Sequence, residues 1–385
     1  NGNYVVSSPN WNSDRGAVTW GNGVSGTTGT VTSLNSLVGT QPFDQVGTGG
    51  VTALTNGNYV VSSPFWNNGA AALAGAVTWS NGATSATRTT GAVNAANSLV
   101  GTNANDQVGL YGATALATNG NYVVNSPQWN NGTGAVTWGS GSAGVSGSIG
   151  SGNSLVGASA GDQVGTGGVT ALTNGNYVVS SPLWNSGTGA VTWGNGTNGV
   201  TGTASGSNSL VGSNAGDQVG GFFATVALAN GNYVVSSPDW NLGQGAATWG
   251  SGATGVTGTV SSANSLTGTN ANDRLGSGGI TALSGNRVLV GSPLFDNGQM
   301  NSGRLQIYDG SGLTNPLAFS NNPSGNVTIT PSAITAITNT GTAVTLQANN
   351  DVPLNSAITS GNTSGNGGAL TAQAGRSSIL NANIT

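Results

Sequence analysis

The feature that most constrains the fold of this chain is a phrase of about 55 residues that recurs along most of its length. Counted from Asn1, the copies start near residues 1, 56, 119, 174, 230 and 285, and each begins with Asn-Gly-Asn-Tyr-Val-Val or a close variant. Repeats of this size indicate a structure in which each unit buries its apolar faces against its neighbours.

Each unit carries the pattern of four short strands. Val169–Leu172 and Tyr177–Ser181 flank an Asn-Gly turn, which is a strong hairpin signal, and Pro182 then ends the pairing. Ala190–Trp193 and a segment ending at Asn208–Gly212 supply the third and fourth strands. We therefore predict an all-β fold, a β-propeller-like ring of about six four-stranded blades. A β-solenoid throughout is the alternative, although tight turns join antiparallel strands and not parallel ones.

The composition excludes several classes of function. Charged residues make up 4% of the chain, and the net charge of −4 gives no basic surface, so we predict no nucleic-acid partner. No apolar run approaches the roughly 18 residues of a membrane helix, which predicts no membrane insertion. Because His, Cys, Lys and Glu are all absent, the commonest general bases and nucleophiles are missing and we predict no enzymatic activity.

One aspartate recurs nine residues after the Asn of each Asn-Ser-Leu motif. A carboxylate at a glycine-flanked turn commonly accepts backbone N–H groups and fixes the turn. We predict this turn-fixing role for Asp44, Asp106, Asp162, Asp217 and Asp273.

Ten tryptophans fall two per unit in the first five units. Large aromatic residues at fixed strand positions are typical of packing between sheets. Contact with carbohydrate is the alternative, mainly for the first Trp of each pair, which follows a proline by two residues and is expected to be the more exposed. These candidates are Trp11, Trp66, Trp129, Trp184 and Trp240, and the second set is Trp20, Trp79, Trp138, Trp193 and Trp249.

The order of motifs from Gly161 to Gly194, GDQVG…VTALTNGNYVVSSPLW…GTGAVTWG, resembles the FG-GAP repeat of integrin-type β-propellers. The resemblance covers about residues 1–320 and implies a propeller. In that family, the loop between the first two strands often holds calcium through aspartates. Here Thr173–Asn176 has no carboxylate, which calcium sites normally include, so we predict no calcium and no other cofactor or metal.

Residues 321–385 differ from the repeats, because they lack Trp and show a shorter alternation of Val, Ile and Leu strands with polar turns. The phrases NTGTAVTLQANND and GNGGALTAQAGRSSILNANIT resemble the β-helix of filamentous-haemagglutinin-like proteins, which are secreted through an outer-membrane partner. This resemblance implies a short C-terminal β-helical segment after the 1–320 repeat domain. We expect the segment to pack on the ring or to begin a longer solenoid.

These features together lead us to expect a non-enzymatic protein that is secreted to the bacterial cell surface and has a structural or adhesive function. A multivalent carbohydrate-binding propeller and a segment of an extracellular filament are the alternatives. Self-association, other surface proteins and glycans are the partner classes that stay open.

Unit 1 lacks the strand that precedes Asn-Gly-Asn in every other unit. An open sheet edge is usually paired or covered. We predict that Leu317–Ser320, Asn326–Thr330 or another chain completes this edge.

Overall fold

The computed structural model describes residues 2–84, 86–118, 120–221, 224–283, 286–296, 303–309, 312, 329, 331–339, 344–348, 351–359, 368–374 and 377–384. Within these ranges the chain is all-β with few helices, and six units follow one another along it.

The strands and four-residue helical turns run in chain order through the units. Unit 1 contains β1 (Tyr4–Ser8), α1 (Trp11–Asp14), β2 (Ala17–Gly21) and β3 (Ser36–Val38). Unit 2 contains β4 (Val51–Ala53), β5 (Tyr59–Ser63), β6 (Ala76–Ser80), β7 (Gly91–Ala92) and β8 (Ser98–Val100). Unit 3 contains β9 (Ala113–Ala115), β10 (Tyr122–Ser126), α2 (Trp129–Gly132), β11 (Ala135–Gly139), β12 (Gly147–Ser148) and β13 (Ser154–Val156).

The later units and the C-terminal segment continue the series. Unit 4 contains β14 (Gly168–Ala171), β15 (Tyr177–Ser181), α3 (Trp184–Gly187), β16 (Ala190–Gly194), β17 (Gly202–Thr203) and β18 (Ser209–Val211). Unit 5 contains β19 (Thr225–Ala227), β20 (Tyr233–Ser237), α4 (Trp240–Gly243), β21 (Ala246–Gly250), β22 (Gly258–Thr259) and β23 (Ser265–Thr267). Unit 6 contains β24 (Ile280–Leu283), β25 (Arg287–Ser292) and β26 (Arg304–Asp309). The C-terminal segment contains α5 (Pro331–Thr338), β27 (Val344–Ala348), β28 (Asp351–Leu354), β29 (Leu370–Ala374) and β30 (Ser377–Leu380).

Each complete unit is an antiparallel meander of four strands. In unit 4, β14 pairs with β15, β15 with β16, and β16 with β18, all antiparallel. The Asn-Gly turn closes the first hairpin, where the Leu172 N–H donates to the Asn176 carbonyl at 2.8 Å. The predicted four-stranded antiparallel units are confirmed. A solenoid throughout is wrong for the repeats, because its rungs would pair in parallel.

A further strand of two residues joins neighbouring sheets, and the sequence did not predict it. β22 of unit 5 pairs in parallel with β18 of unit 4, with Leu210 opposite Gly258 and Val211 opposite Thr259. Gly258 has φ +90, a backbone region that favours glycine, which allows the chain to turn into this short strand. The same bridge joins β7 to β3, β12 to β8 and β17 to β13.

The apolar core lies between the units and not within them. Leu172, Val178 and Val191 of unit 4 form one buried cluster with Tyr233 and Val235 of unit 5. Side chains alternate between the two faces of a strand, so each unit also gives residues to the cluster on its other side. A unit therefore buries its faces only when both neighbours are present.

The first strands of units 2 to 6 contact one another in succession, β4 with β9, β9 with β14, β14 with β19 and β19 with β24. The Thr52 hydroxyl donates to the Ala113 carbonyl of the next first strand at 3.2 Å. Among the described residues, no sheet joins unit 6 to unit 1, and β1 pairs only with β2. Leu317–Ser320 and Asn326–Thr330 lie outside the described residues, Ile329 excepted, so completion of the β1 edge stays a prediction.

The C-terminal segment pairs in parallel with a constant offset. Val344 lies opposite Leu370, Asp351 opposite Ser377 and Ile358 opposite Ile384, so each pair is 26 residues apart and the strands stack as two turns of a β-helix.

The helix α5 departs from the expectation that this segment consists only of strands and turns. Pro331 stands at its first position, where a proline is favourable because its missing N–H is not needed. Ile334 of α5 is buried with Leu354 and Ile358, and the helix contacts both β25 and β27. The segment thus packs on unit 6 through α5. None of the described helices has the length and apolar character needed to cross a membrane.

The position of the core gives a first prediction. Leu172 is 1% exposed in the cluster between units 4 and 5, so Leu172→Ala is expected to lower the free energy of unfolding by about 2–5 kcal/mol. Leu34→Ala is the matched control, because Leu34 is 88% exposed and its truncation should change stability by less than about 0.5 kcal/mol. Urea denaturation followed by tryptophan fluorescence measures both values. Equal effects at the two sites would contradict a core that lies between units.

Candidate functional site

Each recurring aspartate closes the turn that follows a fourth strand. Asp162 is 3% exposed, and its Oδ2 accepts the N–H groups of Ala158 at 2.8 Å and Ser159 at 2.9 Å. This is the arrangement that a turn-fixing carboxylate requires. Asp44, Asp106, Asp217 and Asp273 accept the same pair of N–H groups in their own turns.

The second carboxylate oxygen of each aspartate reaches into the next unit. Asp162 Oδ1 accepts the N–H of Asn185 at 2.9 Å, and Asn185 directly follows Trp184. The structure thus places each recurring aspartate against the residue after a first-set aromatic, a pairing that the sequence did not predict. The equivalent pairs are Asp44–Asn67, Asp106–Asn130, Asp217–Asn241 and Asp273–Asp296. We call this arrangement the Asp joint.

A tight turn presents the donor of the Asp joint. In α3, Asn185 and Ser186 have φ of 49° and 59°, in the left-handed region that asparagine tolerates better than most residues. The turn closes when the Gly189 N–H donates to the Trp184 carbonyl at 3.0 Å. The Asn185 N–H is left unused by the turn and points to Asp162.

Hydrogen bonding sets the ionisation of the joint between units 5 and 6. Burial raises the pKa of the Asp273 carboxyl, but the N–H groups of Asn270, Asp296 and Thr269 and the Thr269 hydroxyl lower it. The net result is a pKa below the usual value of Asp. The charged form of Asp273 is therefore the form that the fold stabilises.

A second joint lies at the opposite end of the same strands. The Nε1 of Trp193 donates to the Gly252 carbonyl of the next unit at 3.0 Å, and the side-chain amides of Asn174 and Asn176 donate to the same oxygen at 2.8 Å. The hairpin motif Asn-Gly-Asn therefore also binds the next unit. The indole joins Trp20 to Gly82, Trp79 to Gly141 and Trp138 to Gly196 in the same way. We call this arrangement the Trp joint.

The acceptor of the Trp joint must be glycine. A Cβ on Gly252 would lie 1.7 Å from the Gly231 carbonyl oxygen of its own hairpin turn, so no larger residue fits. Its N–H donates to Asn232 Oδ1 at 2.9 Å, which holds the glycine against that turn.

The first tryptophan set does not form five equivalent exposed rings. Trp66 and Trp240 are 4% and 8% exposed and belong to clusters between units, so the expectation that they are exposed is wrong at both. Trp11, Trp129 and Trp184 are half-buried, and carbohydrate contact stays a prediction for them. In four members of this set the Nε1 is buried with no hydrogen-bond partner among the described residues, namely Trp66, Trp129, Trp184 and Trp240.

The described residues offer few other sites for chemistry. No group of three or more His, Cys, Asp or Glu side chains comes together within them. The residues that the sequence singled out are used mainly in contacts between units.

The two tryptophans of unit 4 provide a matched test of the Trp joint. Trp193→Phe removes the indole that donates to Gly252, whereas Trp184→Phe removes a buried donor that has no acceptor among the described residues. Both variants lose similar ring volume, so Trp193→Phe should be more destabilising by about 1 kcal/mol. Thermal unfolding of the two variants and the wild type measures this difference. A larger loss for Trp184→Phe would contradict the assignment.

The Asp joint predicts a pH-dependent contribution to stability. At neutral pH, Asp273→Asn should lower the free energy of unfolding by about 1.5–3 kcal/mol, because a carboxylate that accepts several N–H groups is replaced by an amide. The pKa of Asp273 is lowered in the fold, so its contribution is present above about pH 4 and is lost as the pH falls through the folded value. Wild type and variant should therefore converge in acid. Denaturant titrations from pH 7 to pH 2 test this. Asp14→Asn is the control, because the Asp14 carboxylate belongs to no Asp joint.

Comparison with known proteins places these units in a family. A model described as a repeat of unknown function (DUF5650) matches residues 1–48, 53–110, 116–166, 171–221 and 227–277. Among solved structures, the chain is similar to TolB from Acinetobacter baumannii, with 14% identity, 81% of this chain and 61% of that chain covered, and a TM-score of 0.28, too low to define a shared arrangement of units. No curated protein sequence matches the chain. Because the five matched stretches fall on units 1 to 5 and cover more than half of the chain, it belongs to the family built from the DUF5650 repeat.

Proposed function

We propose that this chain is a non-enzymatic structural or adhesive protein that is secreted to the bacterial cell surface. The observation that carries the proposal is the use of the recurring polar residues. The aspartates and the second-set tryptophans hydrogen-bond one unit to the next, together with the asparagines of Asn-Gly-Asn. Selection on such residues favours a rigid array of units over a catalytic centre.

The chemistry of the joints suits an environment of variable ionic strength. Salt screens exposed ion pairs but has little effect on buried hydrogen bonds. The Asp and Trp joints consist of amides, indoles, backbone groups and one buried carboxylate. With 4% charged residues, the chain has few interactions that salt can weaken, and Arg274–Asp239 is an exposed example.

The finer form of the fold follows from the same contacts. The six units curve into a propeller-like ring with the first strands nearest the axis. The succession of first-strand contacts from β4 to β24 supports this arrangement, and so does the resemblance of the motifs to FG-GAP blades. The antiparallel order within each unit is that of a propeller blade.

The C-terminal segment supports the extracellular location. Its phrases resemble filamentous-haemagglutinin-like proteins, and its strands pair in parallel with a 26-residue offset, as in a β-helix. This segment continues the repeat array along a different axis of growth, which suits an elongated surface protein.

Surface exposure and adhesion test the proposal directly. In the bacterium that produces the chain, protease added to intact cells should degrade it while a cytoplasmic marker stays whole, because the chain lies outside the cell. Deletion of its gene should reduce cell adhesion or cohesion. Degradation only after lysis would contradict the extracellular location.

A glycan array separates the adhesive scaffold from the carbohydrate-binding alternative. Binding that Trp184→Ala abolishes, while Trp193→Ala preserves it, would favour the alternative, because Trp184 is a half-buried first-set ring. The scaffold proposal expects no glycan signal that depends on Trp184.

A further inference from the structure

The most informative surface outside the joints is a groove beside β1. It has a volume of about 310 Å³, and Tyr4, Val5, Trp20, Val51 and Tyr59 are among the residues that line it. We call it the first-strand groove, because it lies between the free edge of β1 and the first strand β4 of unit 2. In units 2 to 6 a first strand pairs with the corresponding edge.

The core cluster beneath this groove lacks one residue type that the other clusters contain. The four other clusters between units each include a buried leucine that directly follows or ends a first strand, namely Leu54, Leu116, Leu172 and Leu228. The cluster between units 1 and 2 contains the counterparts of the remaining members, such as Val18, Leu37, Val46 and Tyr59, but no leucine from a first strand.

Unit 2 shows how a strand binds to such an edge. Val51 pairs with Val61, Thr52 with Val60 and Ala53 with Tyr59. The Leu54 N–H donates to the Asn58 carbonyl at 2.8 Å, and the Ser62 N–H donates to the Gly50 carbonyl at 3.0 Å. By repeat equivalence, the free edge of β1 presents the carbonyl of Asn3, both backbone groups of Val5 and the N–H of Ser7.

We propose that the first-strand groove binds an extended peptide segment of a partner chain, with the sequence pattern Gly-Gly-Val-Thr-Ala-Leu, by β-strand addition. The peptide valine lies opposite Val6, its threonine opposite Val5 and its alanine opposite Tyr4. Its leucine fills the cluster below, as Leu54 does in unit 2. Edge-strand addition of this kind takes affinity from main-chain hydrogen bonds and specificity from alternate side chains.

Two observations select this occupant. The interface already exists five times in the chain with one register, so a sixth strand of the same pattern continues an established contact. The threonine adds specificity, because Thr52 donates to the carbonyl of the neighbouring first strand and a peptide threonine would reach Val51 in the same way. All five first strands of the chain are paired within their own sheets, so a partner chain supplies the segment.

Titration of the full chain with a labelled peptide tests the proposal. The probe is fluorescein-labelled Gly-Gly-Val-Thr-Ala-Leu-Thr-Asn-Gly, the sequence of Gly167–Gly175, followed by fluorescence polarisation. Saturable binding is expected, at least about tenfold tighter than that of a scrambled peptide of equal composition. Methylation of the leucine amide nitrogen should also weaken binding at least about tenfold, because the bond to the Asn3 carbonyl is lost. No binding, or equal binding of the three peptides, would overturn the proposal.

A protein variant tests the same register from the other side. Val5→Pro removes an N–H that faces the groove, and edge strands tolerate proline where the N–H does not pair within the sheet. It should weaken binding at least about tenfold, whereas Val5→Ala, which keeps the N–H, should weaken it less. The methylated peptide keeps the test decisive if Val5→Pro does not fold. Equal binding by Val5→Pro and the wild type would overturn the proposed register.

Hydrogen exchange of the Val5 amide without peptide separates the other occupants. Strong protection at every protein concentration would mean that the chain fills its own groove. Protection that appears only with a dimer in sedimentation would mean that a second copy fills it. Either result would overturn binding of a partner segment, and rapid exchange that the peptide suppresses is the expected result.

Discussion

The rest of the structure depends on a buried carboxylate with two different tasks. In Asp162, Oδ2 holds the turn of its own unit and Oδ1 holds the first N–H of the next unit's turn. A buried charge is costly unless hydrogen bonds surround it, so the aspartate is stable only when both units are in place. The cost of an incomplete joint couples the folding of each unit to that of its neighbour, in addition to the shared apolar cluster.

Two joints at opposite ends of the strands fix how one unit meets the next. The Asp joint lies near Pro182, at the end of the second strand, and the Trp joint lies near Asn176, at its start. A single contact would leave the units free to rotate about it, whereas two contacts with an apolar cluster between them define one orientation. The longer loop of unit 2 is accommodated for this reason. The Leu73 N–H returns to Asn67 Oδ1 at 3.0 Å, so the residues of both joints stay in place.

The sequence predicts those parts of the fold that leave a local pattern. The Asn-Gly turn and the alternation in Tyr177–Ser181 are such patterns, and the four-stranded meander follows from them. The bridging strand Gly258–Thr259 has no apolar residue to mark it. The second bond of the Asp joint ends on a backbone N–H, which no residue type reveals. The burial of Trp66 depends on how the turn after Pro64 folds back onto the next unit's core, which is a tertiary effect. In α5, Pro331 and one buried face outweighed a strand-like composition.

The two ends of the array are chemically different. In unit 6, Phe295 and Asp296 replace the Trp-Asn pair of the Asp joint, Arg304 stacks 4.8 Å over the Phe295 ring, and α5 packs against β25. In unit 1, Tyr4 and Val6 are 44% and 47% exposed, although Tyr177 and Val179 at the same positions are fully buried. Terminal units of repeat arrays need a face that does not demand a neighbour, and unit 6 has the features of such a cap. Unit 1 keeps the side chains of an internal unit. Its exposed face therefore retains the full specificity of the repeat, and the register that orders the internal units also determines what can bind there.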